Sequence, residues 1–97
     1  MASKTITLTQ TRPNLDVDFH TGSEEFKTFK SEMVAAGTLI DNGGSNNETG
    51  LIRTWSLTFD SEDSHTAFFN NDIVKQYMQS RLTYNSVNFI IDQVTYS

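Results

Sequence analysis

Apolar and polar residues alternate over residues 4–10, where Ile6 and Leu8 share one side and threonines occupy the other. Alternation with a period of two is typical of a strand with one buried face. The same alternation returns over residues 51–59 and 89–96. We therefore predict three strands from the alternation alone.

Two further segments have weaker strand patterns. Apolar residues alternate with aspartates over 15–19, directly after Pro13. This predicts either a bent continuation of the first strand or a hairpin, and we favour a bent strand at the sheet edge because proline is tolerated there. Residues 38–40 predict a short strand, and residues 41–50 are polar and glycine-rich, which predicts a long turn.

Two segments carry apolar residues at helical spacing. The first covers residues 23–36, with a serine and two glutamates at its start and a glycine after its end. The second begins at Ser61 and ends near residue 85. Its apolar stripe changes phase at Asn70 or Asn71, which predicts a kink or a new helix start there.

The order strand, helix, strand, strand, helix, strand predicts the fold class α+β, as one ferredoxin-like βαββαβ domain over residues 1–97. In this fold a four-stranded antiparallel sheet carries two helices on one face. The other face of the predicted sheet would be rich in threonine and mixed with Ile52, which is too β-branched for a purely solvated surface. We therefore expect a homodimer formed through the sheet.

Charge and composition exclude several functions. Twelve acidic residues against seven scattered basic residues give a net charge of −5, which argues against nucleic-acid binding. The chain has no cysteine, and its two histidines, His20 and His65, have no metal-ligand spacing, so we expect no metal and no cofactor. Neither a signal peptide nor an apolar segment of membrane-spanning length is evident, which predicts a cytoplasmic protein without a membrane partner.

Arg53 interrupts the apolar face of its predicted strand. A buried guanidinium is costly unless it meets a carboxylate or reaches a cavity. One interpretation is an ion pair or an edge position, and the other is an anchor for an anionic ligand between sheet and helices. Trp55, two residues further on, is expected to lie in the core.

The segment from Leu51 to Met78 resembles the antibiotic-biosynthesis monooxygenase superfamily of dimeric α/β barrels. The likeness rests on a strand that ends in an aromatic residue, Phe59, a helix start at Ser61-Glu62, and a break at Asn71-Asp72-Ile73. It consists of packing positions, so it implies a fold more than an activity. The segments TITLTQTRPN and LTYNSVNFI are also similar to small uncharacterised proteins of tailed phages, which would place the chain in the host cytoplasm.

The resemblance bears on activity in two ways. The haem-degrading branch of the family uses a helix Trp and a later His, and the corresponding positions here are Phe68 and Met78, so haem degradation is disfavoured. The quinol-oxidising branch needs no cofactor and relies on polar groups between sheet and helices. The ligand-binding candidates of this chain are Arg53, Trp55, Tyr77 and Asn85, and no residue is assigned a catalytic role.

Two hypotheses follow. The first is a small, non-enzymatic dimeric protein that acts through its surfaces. The alternative is a cofactor-independent monooxygenase or a small-ligand binder that uses the cavity between sheet and helices. A pocket of several hundred cubic ångströms lined by Arg53 and Tyr77 would favour the alternative, whereas a filled core would favour the first hypothesis.

Overall fold

A computed structural model describes residues 3–97. Its elements in chain order are β1 (Lys4–Thr11), α1 (Glu24–Ala36), β2 (Leu39–Asn46), β3 (Ile52–Phe59), α2 (Glu62–Asn70), α3 (Asp72–Asn88) and β4 (Ile91–Tyr96). The chain is therefore an α+β fold with four strands and three helices in the described residues.

The strands form one antiparallel sheet in the order β2-β3-β1-β4. β1 lies inside the sheet and ends at Thr11, so the prediction of a bent edge strand over 15–19 is wrong. The reason lies in Arg12, whose side chain donates to the carbonyls of Gly50 (2.9 Å) and Val17 (2.9 Å). These bonds hold the chain after Pro13 in a compact loop, away from any strand partner.

The polar segment predicted as a long turn is largely strand. β2 continues to Asn46 and pairs with β3, with a register irregularity between Asp41 and Gly44. Gly43 lies in this irregularity with a φ of 75°, a left-handed conformation that glycine adopts without strain. The bulge lets polar residues continue an edge strand, where burial of side chains is not required.

The predicted helix boundaries are confirmed at their starts. The Ser23 side chain caps α1 and the Ser61 side chain caps α2 by accepting backbone N–H groups. Asn71 Oδ1 accepts the N–H of Ile73 at 2.9 Å and starts α3 afresh, so the second predicted helix is two helices. α3 runs three residues beyond the predicted end, and Phe89 terminates it at a φ of 59° instead of opening the last strand.

The three helices pack on the sheet face that carries the apolar side chains. Phe26 of α1, Phe68 of α2 and Val74 of α3 share one buried cluster with Leu57 and Phe59 of β3. Burying a large apolar side chain of this kind contributes about 1.5–3 kcal/mol. This cluster is the main source of stability in a chain without disulfides.

The opposite face of the sheet, here called the outer face, is not covered by a helix in the described residues. Its side chains are uncharged: Thr5, Thr7, Thr9, Thr11, Ile40, Asn42, Ser45, Ile52, Thr54, Ser56, Thr58, Ile91, Gln93 and Thr95. Ile40 and Ile91 are 60% and 64% exposed at its two edges. None of the helices in the described residues is both long enough and apolar enough to span a lipid bilayer.

Candidate functional site

The side of α3 that faces the sheet carries a polar stripe. Tyr77, Arg81 and Asn85 follow one another at intervals of four residues, so they lie one above another on the helix. Arg81 and Asn85 are buried, which is uncommon for such polar residues unless they are paired. The stripe therefore indicates a built polar region between helix and sheet.

The sheet supplies matching polar residues on its inner face. Gln10 in β1 is buried and lies opposite Arg53 in β3 and opposite Asp92 in β4. These positions share a face with Leu8 and Trp55, one residue pair nearer the apolar core. The inner face thus changes from apolar to polar towards the end of β1.

A cavity of about 120 Å³, here called the Arg53 cavity, lies between this part of the sheet and the helices. Its walls come from β1, the loop before α1, α1, β3 and α3. The residues that line it are Leu8, Gln10, His20, Thr21, Gly22, Phe26, Lys27, Lys30, Arg53, Trp55 and Tyr77. The structure therefore brings together three of the four predicted ligand-binding residues, Arg53, Trp55 and Tyr77.

Arg53 is the unpaired cation of this cavity. Across residues 3–97, no carboxylate oxygen lies within 4.0 Å of its guanidinium, whereas Lys30 Nζ is 3.0 Å from Asp41 Oδ2 and Lys27 Nζ is 3.9 Å from Glu24 Oε1. The interpretation of Arg53 as an ion-paired residue is therefore not supported. One positive charge is left without a counterion at the cavity wall.

Two aromatic residues form the inner wall. Trp55 is partly buried against the core, and Lys30 Nζ lies 5.1 Å from its ring centroid, within cation–π distance. The Tyr77 ring stacks on Phe26 with a centroid distance of 3.9 Å and an interplanar angle of 7°. Burial raises the pKa of Tyr77 above its ordinary value, although the charges of Arg81 and Arg53 act in the opposite direction. Its hydroxyl is therefore neutral at physiological pH.

His20 occupies the loop side of the cavity. Its Nε2 shares a hydrogen bond of 3.1 Å with Ser80 Oγ, and its ring packs between Tyr77 and Tyr84. Burial lowers the pKa of His20, the charge of Arg81 lowers it further, and Asp92 opposes them. The ring is therefore neutral near pH 7, and its contribution to the cavity is polar and not cationic.

Asn85 does not line the Arg53 cavity. Its amide donates a short hydrogen bond to Asp92 Oδ2, the same oxygen that lies 3.3 Å from Arg81 Nε. Asn85 Oδ1 and Asp92 Oδ1 are buried and have no hydrogen-bond partner within the described residues. Asn85 is thus a support for the Arg81–Asp92 ion pair, in contrast to the direct ligand contact expected from the sequence.

A second cavity of about 110 Å³, here called the apolar cavity, lies between the sheet and the helices and extends to Val94 and Tyr96 of β4. Met78, Val94 and Leu57 line it, and Arg81 is the charged residue in its wall. Leu8, Phe26, Trp55 and Tyr77 line both cavities and form the partition between them. The region between sheet and helices is therefore a polar space and an apolar space that share one wall.

The residues that sequence reasoning missed are Lys30, His20 and Gln10. The helical spacing of α1 predicts Lys30 on its polar, solvent-facing side, but the side chain is only 19% exposed because Asp41 and Trp55 hold it against the sheet. Gln10 follows the alternation of β1 and could have been assigned to the inner face by continuing the pattern from Leu8. No sequence signal places His20, which lies in an irregular loop.

Phe68 and Met78, the positions compared above with the haem-site residues of the monooxygenase superfamily, are apolar residues of the interior in this chain. Phe68 is buried in the core, and Met78 lines the apolar cavity. Among residues 3–97, no group of three His, Cys, Asp or Glu side chains is placed to hold a metal ion.

No family model and no curated protein matches this chain. Among solved structures, the chain is similar to a hydantoinase/carbamoylase family amidase from Burkholderia ambifaria, with a TM-score of 0.53 and 6% sequence identity. The match covers 99% of this chain and 27% of that protein, so the chain spans about a quarter of its length. A likeness at this identity concerns the fold alone.

Proposed function

We propose that this chain is a ferredoxin-like binding module that takes a small monoanion in the Arg53 cavity. The strand order β2-β3-β1-β4 with antiparallel pairing supports the ferredoxin-like assignment, with α2 and α3 together in the place of the second helix. The observation that carries the function is the Arg53 guanidinium, which lines a cavity and has no carboxylate within 4.0 Å in residues 3–97.

The charge balance of the cavity favours a single negative charge. Lys30 is paired with Asp41, and Lys27 is an exposed side chain that lies near Glu24 and is screened by water, so Arg53 is the cation at the cavity wall that lacks a carboxylate. A guanidinium presents its donors in a planar fork that matches a carboxylate in two parallel hydrogen bonds. Gln10 and the neutral His20 add polar groups that a bound anion can use.

The size of the cavity favours binding over quinol oxidation. Pockets for drug-sized molecules measure roughly 300–1,000 Å³, and the Arg53 cavity measures about 120 Å³. A polycyclic quinol does not fit such a space, whereas an anion of a few heavy atoms does. The relationship to the monooxygenase superfamily therefore enters this proposal as a likeness of fold, and the proposed protein is non-enzymatic.

The test is a titration of the ¹⁵N-labelled protein with sodium acetate, compared with sodium chloride at equal ionic strength. Acetate should move the amide signals of residues 20–22, Arg53 and Trp55, which border the cavity, and leave those of Thr7, Thr9 and Thr95 on the outer face unchanged. Chemical shifts that respond equally to acetate and chloride, or that spread over the whole surface, would refute binding at Arg53.

A second proposed function is self-association through the outer face, favoured by its lack of charge. The chain carries a net charge of −5, yet the side chains of this face are all uncharged, so two copies can meet there without like-charge repulsion. Pairing would also remove the exposed apolar surface of Ile40 and Ile91 from water, which favours association. Such a homodimer would act in the cytoplasm, in a host cell if the chain is a phage protein.

Sedimentation velocity tests this second proposal. Thr7 lies in the middle of the outer face, between Ser56 and Thr95, and Thr7→Lys places a charge there in each copy. Gln76→Lys, on the exposed side of α3, adds the same charge outside the face. The wild type and the Gln76→Lys variant are each expected to form dimers, whereas the Thr7→Lys variant is expected to be monomeric. A monomeric wild type would contradict the proposal.

A further inference from the structure

The Arg53 cavity and the apolar cavity together match a molecule with a charged end and a hydrocarbon end. The first cavity has Arg53 at its wall, and the second is lined by apolar side chains such as Leu57, Met78 and Val94. Leu8, Phe26, Trp55 and Tyr77 line both cavities, and the Phe26 and Tyr77 rings are stacked, so a ligand that occupies both cavities has to pass between these residues.

From this arrangement we infer that the ligand is a short-chain carboxylate, with its carboxylate on Arg53 and its hydrocarbon tail in the apolar cavity. This inference rests on the proposed anion binding at Arg53 and adds the chemistry of the remainder of the ligand. The head is a carboxylate because one unpaired guanidinium neutralises one charge, and the tail is apolar because the second cavity offers dispersion contacts and almost no polar partner.

The charged residue in the wall of the apolar cavity does not alter this assignment. Arg81 is paired with Asp92, whose Oδ2 lies 3.3 Å from Arg81 Nε. A second anionic group in the apolar cavity would have to displace this buried carboxylate from its partners. Only the Arg53 cavity therefore has a cation without a counterion. The ligand must bind with its carboxylate at Arg53 and its hydrocarbon tail in the apolar cavity.

The partition is where the tail must pass. The Phe26 and Tyr77 rings are stacked, with Leu8 and Trp55 on the sheet side. Tyr77 and Trp55 are less buried than Phe26 and Leu8, so we expect these two rings to be the parts of the partition that move to admit a chain of methylene groups. A ligand without a tail leaves the stacked pair undisturbed.

The volume of the apolar cavity sets the length of the tail. A cavity of about 150 Å³ accommodates benzene, so a space of about 110 Å³ holds about four carbon atoms. With the carboxylate and its adjacent carbon in the Arg53 cavity, the best fit is hexanoate. Affinity should rise by about fourfold for each methylene added from acetate to hexanoate, and then level off.

The experiment is a titration with acetate, butyrate, hexanoate, octanoate and hexanol, read from the ¹³C-methyl signals of methionine. Met78 lines the apolar cavity, whereas Met33 packs on the core without lining either cavity and is the internal control. Hexanoate is expected to shift the Met78 signal and leave Met33 in place, acetate to shift neither, and hexanol to bind more weakly than hexanoate.

A larger side chain that fills the apolar cavity tests whether the hydrocarbon tail binds there. Val94 lines the apolar cavity and not the Arg53 cavity, and its position on the edge strand β4, 42% exposed, allows a larger side chain. Val94→Trp should reduce hexanoate affinity to that of acetate. If it does not fold, the chain-length series on the wild type still decides the matter.

The outcomes separate the two proposals. Acetate binding at Arg53 with no gain for longer chains and an unmoved Met78 signal would overturn the short-chain carboxylate and leave monoanion binding intact. Absence of binding by any of the carboxylates would overturn both. A Met78 shift with affinity that peaks at hexanoate would support both.

Discussion

Arg81 and Asp92 form an ion pair in which both side chains are largely buried, 11% and 14% exposed. The pair joins α3 to the edge strand β4, and Asn85 donates to the same carboxylate oxygen. This pairing removes the charge of Arg81 from the balance of the site. It leaves Arg53 as the cation available to a ligand.

Loss of the Asp92 charge should destabilise the protein strongly. Asp92→Asn leaves the Arg81 guanidinium buried without a counterion, and breaking a buried pair in this way typically costs about 3–5 kcal/mol. Urea unfolding measures the change, with Glu48→Gln in the exposed turn as a control of similar chemistry. Equal stabilities of the two variants would show that the pair contributes nothing.

The loop before α1 approaches the Phe26–Tyr77 pair at Gly22. A Cβ atom at this position would lie 2.6 Å from Phe26 Cδ2 and 3.3 Å from Tyr77 Cε1. Gly22→Ala should therefore displace the stacked rings and lower the free energy of unfolding by about 1–3 kcal/mol, as overpacking does.

The control for this variant is Gly43→Ala. A Cβ there meets nothing within 4 Å, and its cost comes from the φ of 75° alone. Ring-proton shifts of Tyr77 should change in Gly22→Ala and not in Gly43→Ala. Unchanged Tyr77 shifts in both variants would mean that the loop at Gly22 moves to accommodate the added methyl group and the stacked rings stay in place.

The start of α3 depends on one side chain. Asn71 Oδ1 accepts the N–H of Ile73, and Asn71→Ala should lower the free energy of unfolding by about 1 kcal/mol. Asn70→Ala, one residue earlier and exposed at the end of α2, is the matched control and should have little effect. Similar losses in both would indicate that the cap does not govern this junction.

Stability should fall as the solution becomes mildly acidic. Burial lowers the pKa of both His20 and His65 below the ordinary value of 6.5. The unfolded chain takes up protons near pH 6.5 while the folded chain resists them, so the free energy of unfolding is highest above pH 6.5 and decreases as the pH falls below it.

The measurement is the urea midpoint at about pH 7.5 and about pH 5.5, for the wild type and His20→Gln. The wild type should lose more stability than the variant between these values. Asp41 does not contribute to this difference. Burial acts to raise its pKa, but the Gly43 N–H and Lys30 outweigh burial and lower the pKa from 3.8. Asp41 is therefore ionised at both pH values. A wild-type midpoint that is higher at the acidic value would contradict the argument.

Much of the architecture could be predicted from the chain because its signals are local. The period-two pattern of β1 and β3, the serine caps of two helices and the phase change at Asn71 each depend on a few neighbouring residues. The errors occur where tertiary contacts override local signals. The loop over 12–23 is fixed by a bond from Arg12 to the distant carbonyl of Gly50, and β2 is held by pairing with β3 despite its polar composition.

The candidate site was predictable in part for the same reason. Arg53 breaks an alternation, and Tyr77 lies on a helical stripe, so both stand out in the sequence. The sequence predicts Asn85 in the ligand site, whereas in the structure its amide donates to Asp92 of β4, which makes Asn85 a supporting residue. Which cations remain unpaired depends on long-range contacts such as that of Lys30 with Asp41, and no local pattern encodes those.

The central claim is tested most directly by the dissociation constant of acetate for the wild type, Arg53→Gln and Lys75→Gln. Both variants remove one positive charge, but Lys75 is exposed on α3 and lines neither cavity. A charge-assisted hydrogen bond contributes about 1.5–3 kcal/mol, so Arg53→Gln should weaken acetate binding by at least about tenfold while Lys75→Gln stays close to the wild type. Equal dissociation constants for all three proteins would contradict the assignment of Arg53 as the anion anchor.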